Sequence, residues 1–460
     1  MFLLAAFFAY WLIAARIQPR IVFLLAASYG FYLASGWQAL ALLFAISTID
    51  YCVTRLMQSS ERPRTRKLLL AVSLTTDVGV LCVFKYANFF LSNAASVFGW
   101  HAPALRLLVP LGLSFFIFQS VAYVIDSYRR TAEPAKTYFE YLAFIAFFPT
   151  LVAGPILRAS QFLPQLRQPL ALSAEQGGQA LALIALGLLK KIAVADYLSV
   201  NLVERVFDFP ERYSSLEVLL GVYGYALQIY ADFSGYSDIA IGSALLLGFT
   251  LPENFNLPYR AVDLPDFWRR WHISLSTWLR DYVFFSLAGK RLRNVKMLYA
   301  ASLVTMLIGG LWHGAAWPFV IWGLLHGIGL IVVRWWQSQK TFAQTFRASL
   351  GATVISMFLT FHFVCLTWIF FRAETLAQAV GIVRQIARGS VDVTNLNASL
   401  LILIAGGLLM HWLPQGIWTT TQRGFTRLPA PAQALLLFGL GIGLYAIASS
   451  EVAPFIYARF

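Results

Sequence analysis

The sequence predicts an all-α, polytopic integral membrane protein, and three observations carry that prediction. Apolar types make up 59% of the 460 residues and charged types only 12%, with a mean hydropathy of +0.67. A soluble domain carries about 25% charged residues, so the polar coat a globule needs in water is halved. The apolar residues also fall in long blocks, at 107–125, 298–311, 319–333, 400–410 and 434–448. Backbone polar groups in lipid must be bonded internally, which leaves helices or a closed barrel. Barrel strands alternate between two faces, and residues 23–27 and 401–409 do not. At roughly 20 mostly apolar residues per crossing, about 11 spanning helices are expected, with shorter re-entrant or interfacial pieces.

The elements follow in order from charge placement. The first 15 residues are one apolar block, followed by Arg16 and Arg20. They lack a basic start and a small-x-small cleavage site, so a retained helix is expected rather than a signal peptide. The next basic clusters are Arg62, Arg64, Arg66 and Lys67, then Arg129 and Arg130. With all three on the cytoplasmic side, the blocks at 1–15, 21–34, 40–57, 68–98 and 107–127 cross alternately. This places the N-terminus and His101 outside. Arg423 and Arg427 inside place Phe460 outside. The net charge of +14 is thereby explained by orientation, without nucleic acid as a partner. Residues 161–169 read as a loop or surface helix, and 196–213 as a polar loop at the membrane surface. No linker, low-complexity tract or inverted repeat divides the chain, so a single membrane domain, 1–460, is expected. Cys52, Cys82 and Cys365 are dispersed in apolar blocks and read as buried small hydrophobes.

Residues 223–249 are apolar but carry Asp232, Ser234, Ser237 and Asp238. Carboxylates inside apolar segments are costly and point to function. The competing reading is a break between two helices at 233–238, with Asp or Ser capping the second, and the preference of these residues for N-caps favours it.

Of six histidines, His101, His362 and His411 have ordinary surroundings. His272 lies in FWRRWHISLSTWLRDY (267–282). On a single helix, Trp268, Trp271, Leu275, Trp278 and Tyr282 fall within an arc of about 80°. His272, Ser276, Arg269 and Arg280 take the adjoining flank. Trp, Tyr and Arg favour the membrane boundary, so an interfacial amphipathic helix is expected. An anchor alone has no need of His272 and Ser276 one turn apart. Residues 309–329, GGLWHGAAWPFVIWGLLHGIG, hold a small repeat, GLWHG then GLLHG, with a His before the second Gly of each GxxxG. That spacing lets helices approach closely. AAWP reads as a turn with Pro opening the next helix. His313 would close one helix and His326 would lie about 12 Å down the next. A packing histidine is the ordinary reading of His313; the Gly-rich packing and Trp312 weigh equally for function. Metal binding by His272, His313 and His326 has no short ligand spacing behind it. No GxSxG, HExxH or GxxxxGK[ST] occurs.

At these segments the sequence resembles the membrane-bound O-acyltransferase family, in its bacterial alginate O-acetyltransferase-like branch. The motifs are FKYANFF (84–90), FFPTLVAGPILR (147–158), LKKIAVAD (189–196), YADFSGYSDIAIG (230–242), ENFNLPY (253–259), FWRRWHISLSTWLRDYVF (267–284), GGLWHGAAW (309–317), WGLLHG (322–327), WIFFRAE (368–374) and the ending APFIYARF. They run in order over nearly the full chain. One departure is VFFSLAGKRLRN (283–294), where the branch has a PLGGNR-like turn.

The resemblance implies a ring of membrane helices around a thin, partly re-entrant core, with a tunnel where acyl donor and acceptor meet. The essential family histidine matches His313, the second matches His272, and His326 matches a third. It implies an O-acyltransferase of the bacterial inner membrane. The donor would be acetyl-CoA or an acyl-carrier thioester, with no bound cofactor and no metal. The acceptor would be an exported glycan, with a periplasmic acetyltransferase- or esterase-like partner. Within that frame His313 is the expected general base, a covalent acyl-histidine being the variant. His272, with Ser276 or Arg280, would orient the donor or stabilise developing charge. Trp312, Asp281, Asp232, Asp238 and His326 are the expected tunnel-lining residues. The alternative from another class is a transporter or flippase for an acylated or glycan intermediate, which broken helices and buried polar groups also fit.

Overall fold

The structure is a computed structural model and describes residues 1–460 except 102, 104, 290–293, 340–348 and 449–460. Most of the basic stretch after Gly289, the ending APFIYARF and Phe460 lie outside the described residues. The described residues form helices and turns without strands. Six helices are long and apolar enough to cross a membrane: Trp37–Ser59, Pro63–Phe98, Val295–His313, Trp317–Ser338, Leu350–Arg372 and Ala430–Ile447. Four shorter apolar helices are Phe2–Ile13, Ile17–Leu33, Leu376–Ala387 and Ala398–Met410. Their outer faces carry large apolar side chains, among them Phe8, Leu68, Leu359, Ile402 and Phe438. In water such surface would drive aggregation; in a bilayer it meets lipid. The protein is a multi-pass membrane protein.

The chain forms two compact units. The first comprises Met1–Ile184 and Ile239–Pro252. Its helix Leu113–Arg129 starts six residues later than the apolar block at 107 suggests, because Gly112 turns the chain in a left-handed conformation (φ 75°) against the Leu151 carbonyl. The 63–98 segment is one helical run with a π-helical turn at Cys82–Tyr86. The stretch 161–169 begins as a surface helix, with Gln161 and Pro164 exposed on its outer face. Helix Ala159–Leu166 buries Phe162, Leu163 and Leu166, with Phe162 stacked on Phe249 at 5.0 Å. Arg20 is fully buried, and its guanidinium donates to the carbonyls of Ala14, Leu166 and Gln168. Arg66, also buried, donates to Tyr128 O at 2.7 Å. Both residues are therefore structural cations as well as basic markers of the loops they border.

The second unit comprises Ala185–Asp238 and Glu253–Phe460. At its centre Val295–His313 reverses through Gly314–Ala316 into Trp317–Ser338. The two helices touch along their glycines. A Cβ at Gly310 would stand 2.3 Å from the Phe319 carbonyl oxygen, and one at Gly323 2.4 Å from that of Met306. The expected close approach through the paired GxxxG spacings is thus realised. His313 is the last residue of its helix, as expected, and Pro318 is in the first turn of the next.

Three expectations are corrected. Residues 233–238 do not break: Ser215–Leu246 is one helix of 32 residues, so Asp232, Ser234, Ser237 and Asp238 are mid-helix and cap nothing. Residues 196–213 are not a loop but short helical turns, Ser199–Val203, Glu204–Asp208 and Pro210–Arg212, with Leu202, Val206 and Phe207 buried. The segment 267–282 is not one helix. It divides into Leu264–Arg270, Ile273–Trp278 and a π-helical Leu279–Phe284.

Candidate active site

The break between the first two of those helices falls on His272. Its backbone is left-handed (φ 42°, ψ 57°), a conformation uncommon for a side chain with a Cβ and one that persists where surrounding bonds impose it. Asn254 imposes it. Its carbonyl oxygen accepts from Ile273 N at 2.9 Å. Its side-chain Oδ1 accepts from Ser274 N at 3.2 Å and from Ser274 Oγ at 2.9 Å. The same Oδ1 lies 3.2 Å from His272 Nδ1. The two Ser274 donors identify this atom as the amide oxygen, so the bond to His272 requires the proton on Nδ1, and Nε2 faces away as an acceptor. Asn254 Nδ2 donates to Ser237 Oγ at 3.1 Å, tying the loop to the long helix. Asn254, Ser274, Ser237 and His272 are all buried.

The imidazoles are strung together by indoles. The His272 ring lies 4.6 Å from Phe233 and 6.0 Å from Trp312. Trp312 lies 4.8 Å from His313. His313 contacts Trp322 at 5.0 Å and Phe371 at 4.9 Å, and Trp322 lies 4.7 Å from His326. The order is His272, Trp312, His313, Trp322, His326, all five buried. Aromatic walls exclude water and lower the local dielectric, which strengthens any charge interaction formed inside.

The other expected residues are placed differently. Ser276 donates its hydroxyl to the Trp271 carbonyl at 3.0 Å, bracing the break. Arg280 is exposed and pairs with the adjacent Asp281 at 2.8 Å. The structure does not bring Ser276 Oγ or the Arg280 guanidinium to His272 as orienting or charge-stabilising partners. Asp232 and Asp238 are held by the consecutive lysines of LKKIAVAD. Lys191 Nζ lies 2.8 Å from Asp232 Oδ1 and 2.8 Å from Asp196 Oδ1. Lys190 Nζ lies 2.6 Å from Asp238 Oδ2 and over the Tyr230 ring. These carboxylates anchor the segment before the long helix onto it. Lys191→Met should therefore destabilise the protein by roughly 3–5 kcal/mol, since removing one partner leaves buried charge uncompensated. Thermal unfolding in detergent checks this, and Lys191→Met with Asp232→Asn and Asp196→Asn should recover part of the loss.

His362 bonds Tyr223 Oη at 2.7 Å and Phe358 O at 2.8 Å, and His411 bonds Gly407 O at 3.1 Å. Among the described residues no three His, Cys, Asp or Glu side chains gather as a metal set. Sequence reasoning missed Asn254, Ser274, Ser237 and the two lysines as site-forming residues. The lysines were findable: two cations in an apolar segment and two carboxylates in another each need a partner. Asn254 carried no such signal, because its role is to bond a backbone turn.

His272, His313 and His326 are thus buried imidazoles walled by indoles, and a buried amide fixes His272. Residues 64–372 match the membrane-bound O-acyltransferase family. The peptidoglycan O-acetyltransferase of Helicobacter pylori is 34% identical over 412 residues, 83% of this chain and 77% of that protein. A probable alginate O-acetylase of Pseudomonas aeruginosa is 36% identical over 410 residues, 86% of this chain and 75% of that protein. The teichoic acid D-alanyltransferase of Bacillus subtilis is 30% identical over 288 residues, 60% of this chain and 71% of that protein. The chain belongs to the membrane-bound O-acyltransferase family and is an O-acyltransferase, as the ordered motifs imply.

Proposed function

We propose that the enzyme carries an acetyl group from a cytoplasmic thioester, acetyl-CoA or an acyl carrier, to a hydroxyl of an exported glycan, directly or through a periplasmic partner. The observation that carries the reading is His313, buried at the end of a spanning helix between Trp312 and Trp322. An imidazole titrates near neutrality and suits general-base work. His313 takes the proton of the acceptor hydroxyl as its oxygen bonds the thioester carbonyl carbon. The C–S bond breaks, and the departing thiolate takes the proton from the imidazolium. Atoms and charge balance without a further reagent. His272, protonated on Nδ1 and held by Asn254, offers Nε2 as an acceptor. It therefore orients a donor N–H or O–H rather than stabilising an oxyanion. Trp312 and Trp322 wall the reacting groups.

The relatives named for peptidoglycan and alginate O-acetylation support acetyl as the group and a bacterial envelope glycan as the acceptor. With this reading go the inner membrane as location, the N-terminus outside, as the placement of the basic clusters suggests, and residues 1–460 acting as one membrane domain. Purified protein in detergent, given labelled acetyl-CoA and a glycan oligosaccharide, with a periplasmic partner where required, should release labelled acetyl ester. Activity confined to sealed vesicles, with solute moved and no ester formed, would instead identify a transporter.

A further inference from the structure

Among the buried ring nitrogens near His313 that make no hydrogen bond to the protein are Nδ1 of His326 and Nε1 of Trp268 and Trp322. The state of His326 follows from its neighbour. Its Nε2 lies 3.0 Å from Thr367 Oγ1, and the single proton of that hydroxyl goes to the Val364 carbonyl oxygen at 2.8 Å. Thr367 therefore accepts, the His326 proton sits on Nε2, and Nδ1 presents a lone pair. His326 is fully buried. The rings belong to one cluster: Trp322 to His326 is 4.7 Å, Trp268 to His326 5.1 Å and Trp268 to Trp322 5.7 Å.

Buried polar groups left unbonded are costly and rare in native proteins, so three in one cluster call for a common partner. Two N–H donors and one lone pair are the complement of a neutral hydroxyl, whose oxygen accepts two bonds and whose proton makes a third. A carboxylate or phosphate dianion has no proton for Nδ1. An ammonium has no lone pair for the indoles. Trp322 also packs on His313 at 5.0 Å, so a group held here sits one ring from the reacting centre.

We propose that His326, Trp268 and Trp322 form a hydroxyl-binding subsite, and that it holds a hydroxyl of the acceptor next to the one acylated. The inference rests on the acyl-transfer reading of His313 and sharpens it: the acceptor is a polyol such as a sugar, not a lone alcohol. A site built to bond a hydroxyl discriminates against the analogue that lacks it, because its own polar groups are then left unpaired.

The test uses full-length protein in detergent, acetyl-CoA as donor, and a methyl glycoside with its monodeoxy analogues as probe acceptors. One deoxy analogue should raise the acceptor KM of the wild type about tenfold, and that of His326→Phe no more than about twofold, because the bond is already gone. Equal discrimination by both would reduce His326 to packing and overturn the proposal. Trp322→Phe and Trp268→Phe delete the N–H with little loss of volume and carry the same comparison if His326→Phe does not fold. Nitrogen NMR of histidine-labelled wild type in lipid reads the site without turnover. His326 Nδ1 should be a free acceptor alone and a hydrogen-bonded acceptor with the glycoside present. A hydrogen-bonded signal in both states would mean a fixed water and overturn the proposal. A wild type inactive with acetyl-CoA would count against the proposed donor, while the NMR comparison still decides the subsite.

Discussion

Replacing His313 with Ala should abolish acyl transfer while leaving a folded protein. General-base catalysis by a positioned imidazole contributes about 10²–10⁴-fold, so kcat/KM should fall by at least that range. His313 ends its helix and is buried against Trp312, Trp322 and Phe371. Truncation leaves a cavity, and stability should fall by roughly 2–4 kcal/mol, in the range of large-to-small core changes, without loss of the fold. Initial rates with labelled donor, together with size-exclusion behaviour and unfolding temperature, separate the two effects. Substantial retained turnover in folded His313→Ala would remove this residue from the mechanism. If the reaction proceeds through an acyl-histidine instead, rapid quenching of wild type with labelled donor alone should leave label on the protein, and His313→Ala should not.

The second large effect is expected at Asn254, which never touches the reacting groups in the proposed mechanism. Asn254→Leu keeps the volume and deletes the bonds to His272 Nδ1, Ser274 N, Ser274 Oγ and Ser237 Oγ. The left-handed His272 turn loses the side-chain partners that hold it, although the Asn254 carbonyl still accepts from Ile273 N. Misplacing a site group by about 1 Å can cost about 100-fold in function, and the unbonded buried groups cost about 1–3 kcal/mol each. The expected signature is a fall in kcat/KM larger than the fall in stability explains. It should be accompanied by a change at the His272 nitrogens, since Nδ1 loses the acceptor that fixes its proton. Wild-type turnover in this variant would mean that His272 is positioned by other contacts.

The legible parts of the sequence were those governed by composition and local spacing. Long apolar blocks announced membrane helices because lipid leaves the backbone few other choices. The two GxxxG spacings announced a close helix pair, which Gly310 and Gly323 form. His313 at a helix end could be read from the turn residues that follow it. The readings that failed all assumed that local polarity breaks a helix or that local periodicity continues one. Asp232 and Asp238 looked like caps because Asp and Ser favour N-cap positions; instead they are mid-helix and paired with Lys191 and Lys190, more than 40 residues away. The stripe across 267–282 looked like one helix because its aromatic spacing is helical on both sides of His272. The break is imposed by Asn254, 18 residues upstream. Arg280, placed near His272 by angular projection, is carried away by that break and by the π-helical turn that follows it.

The sequence by itself determined that this is an all-helical membrane protein, and its ordered motifs determined the family and the type of reaction. It also narrowed the histidines proposed for the chemistry to His313 with His272, since few polar residues are tolerated at such places without a reason. Only the tertiary structure decided which atoms those histidines present and what surrounds them. The tautomers of His272 and His326 are set by Asn254 Oδ1 and Thr367 Oγ1, partners distant along the chain. The physical reason is range. Hydrophobicity and helix periodicity act over a few residues and can be read from any stretch of chain, whereas a buried charge or lone pair is satisfied by whichever group the fold brings within about 3 Å.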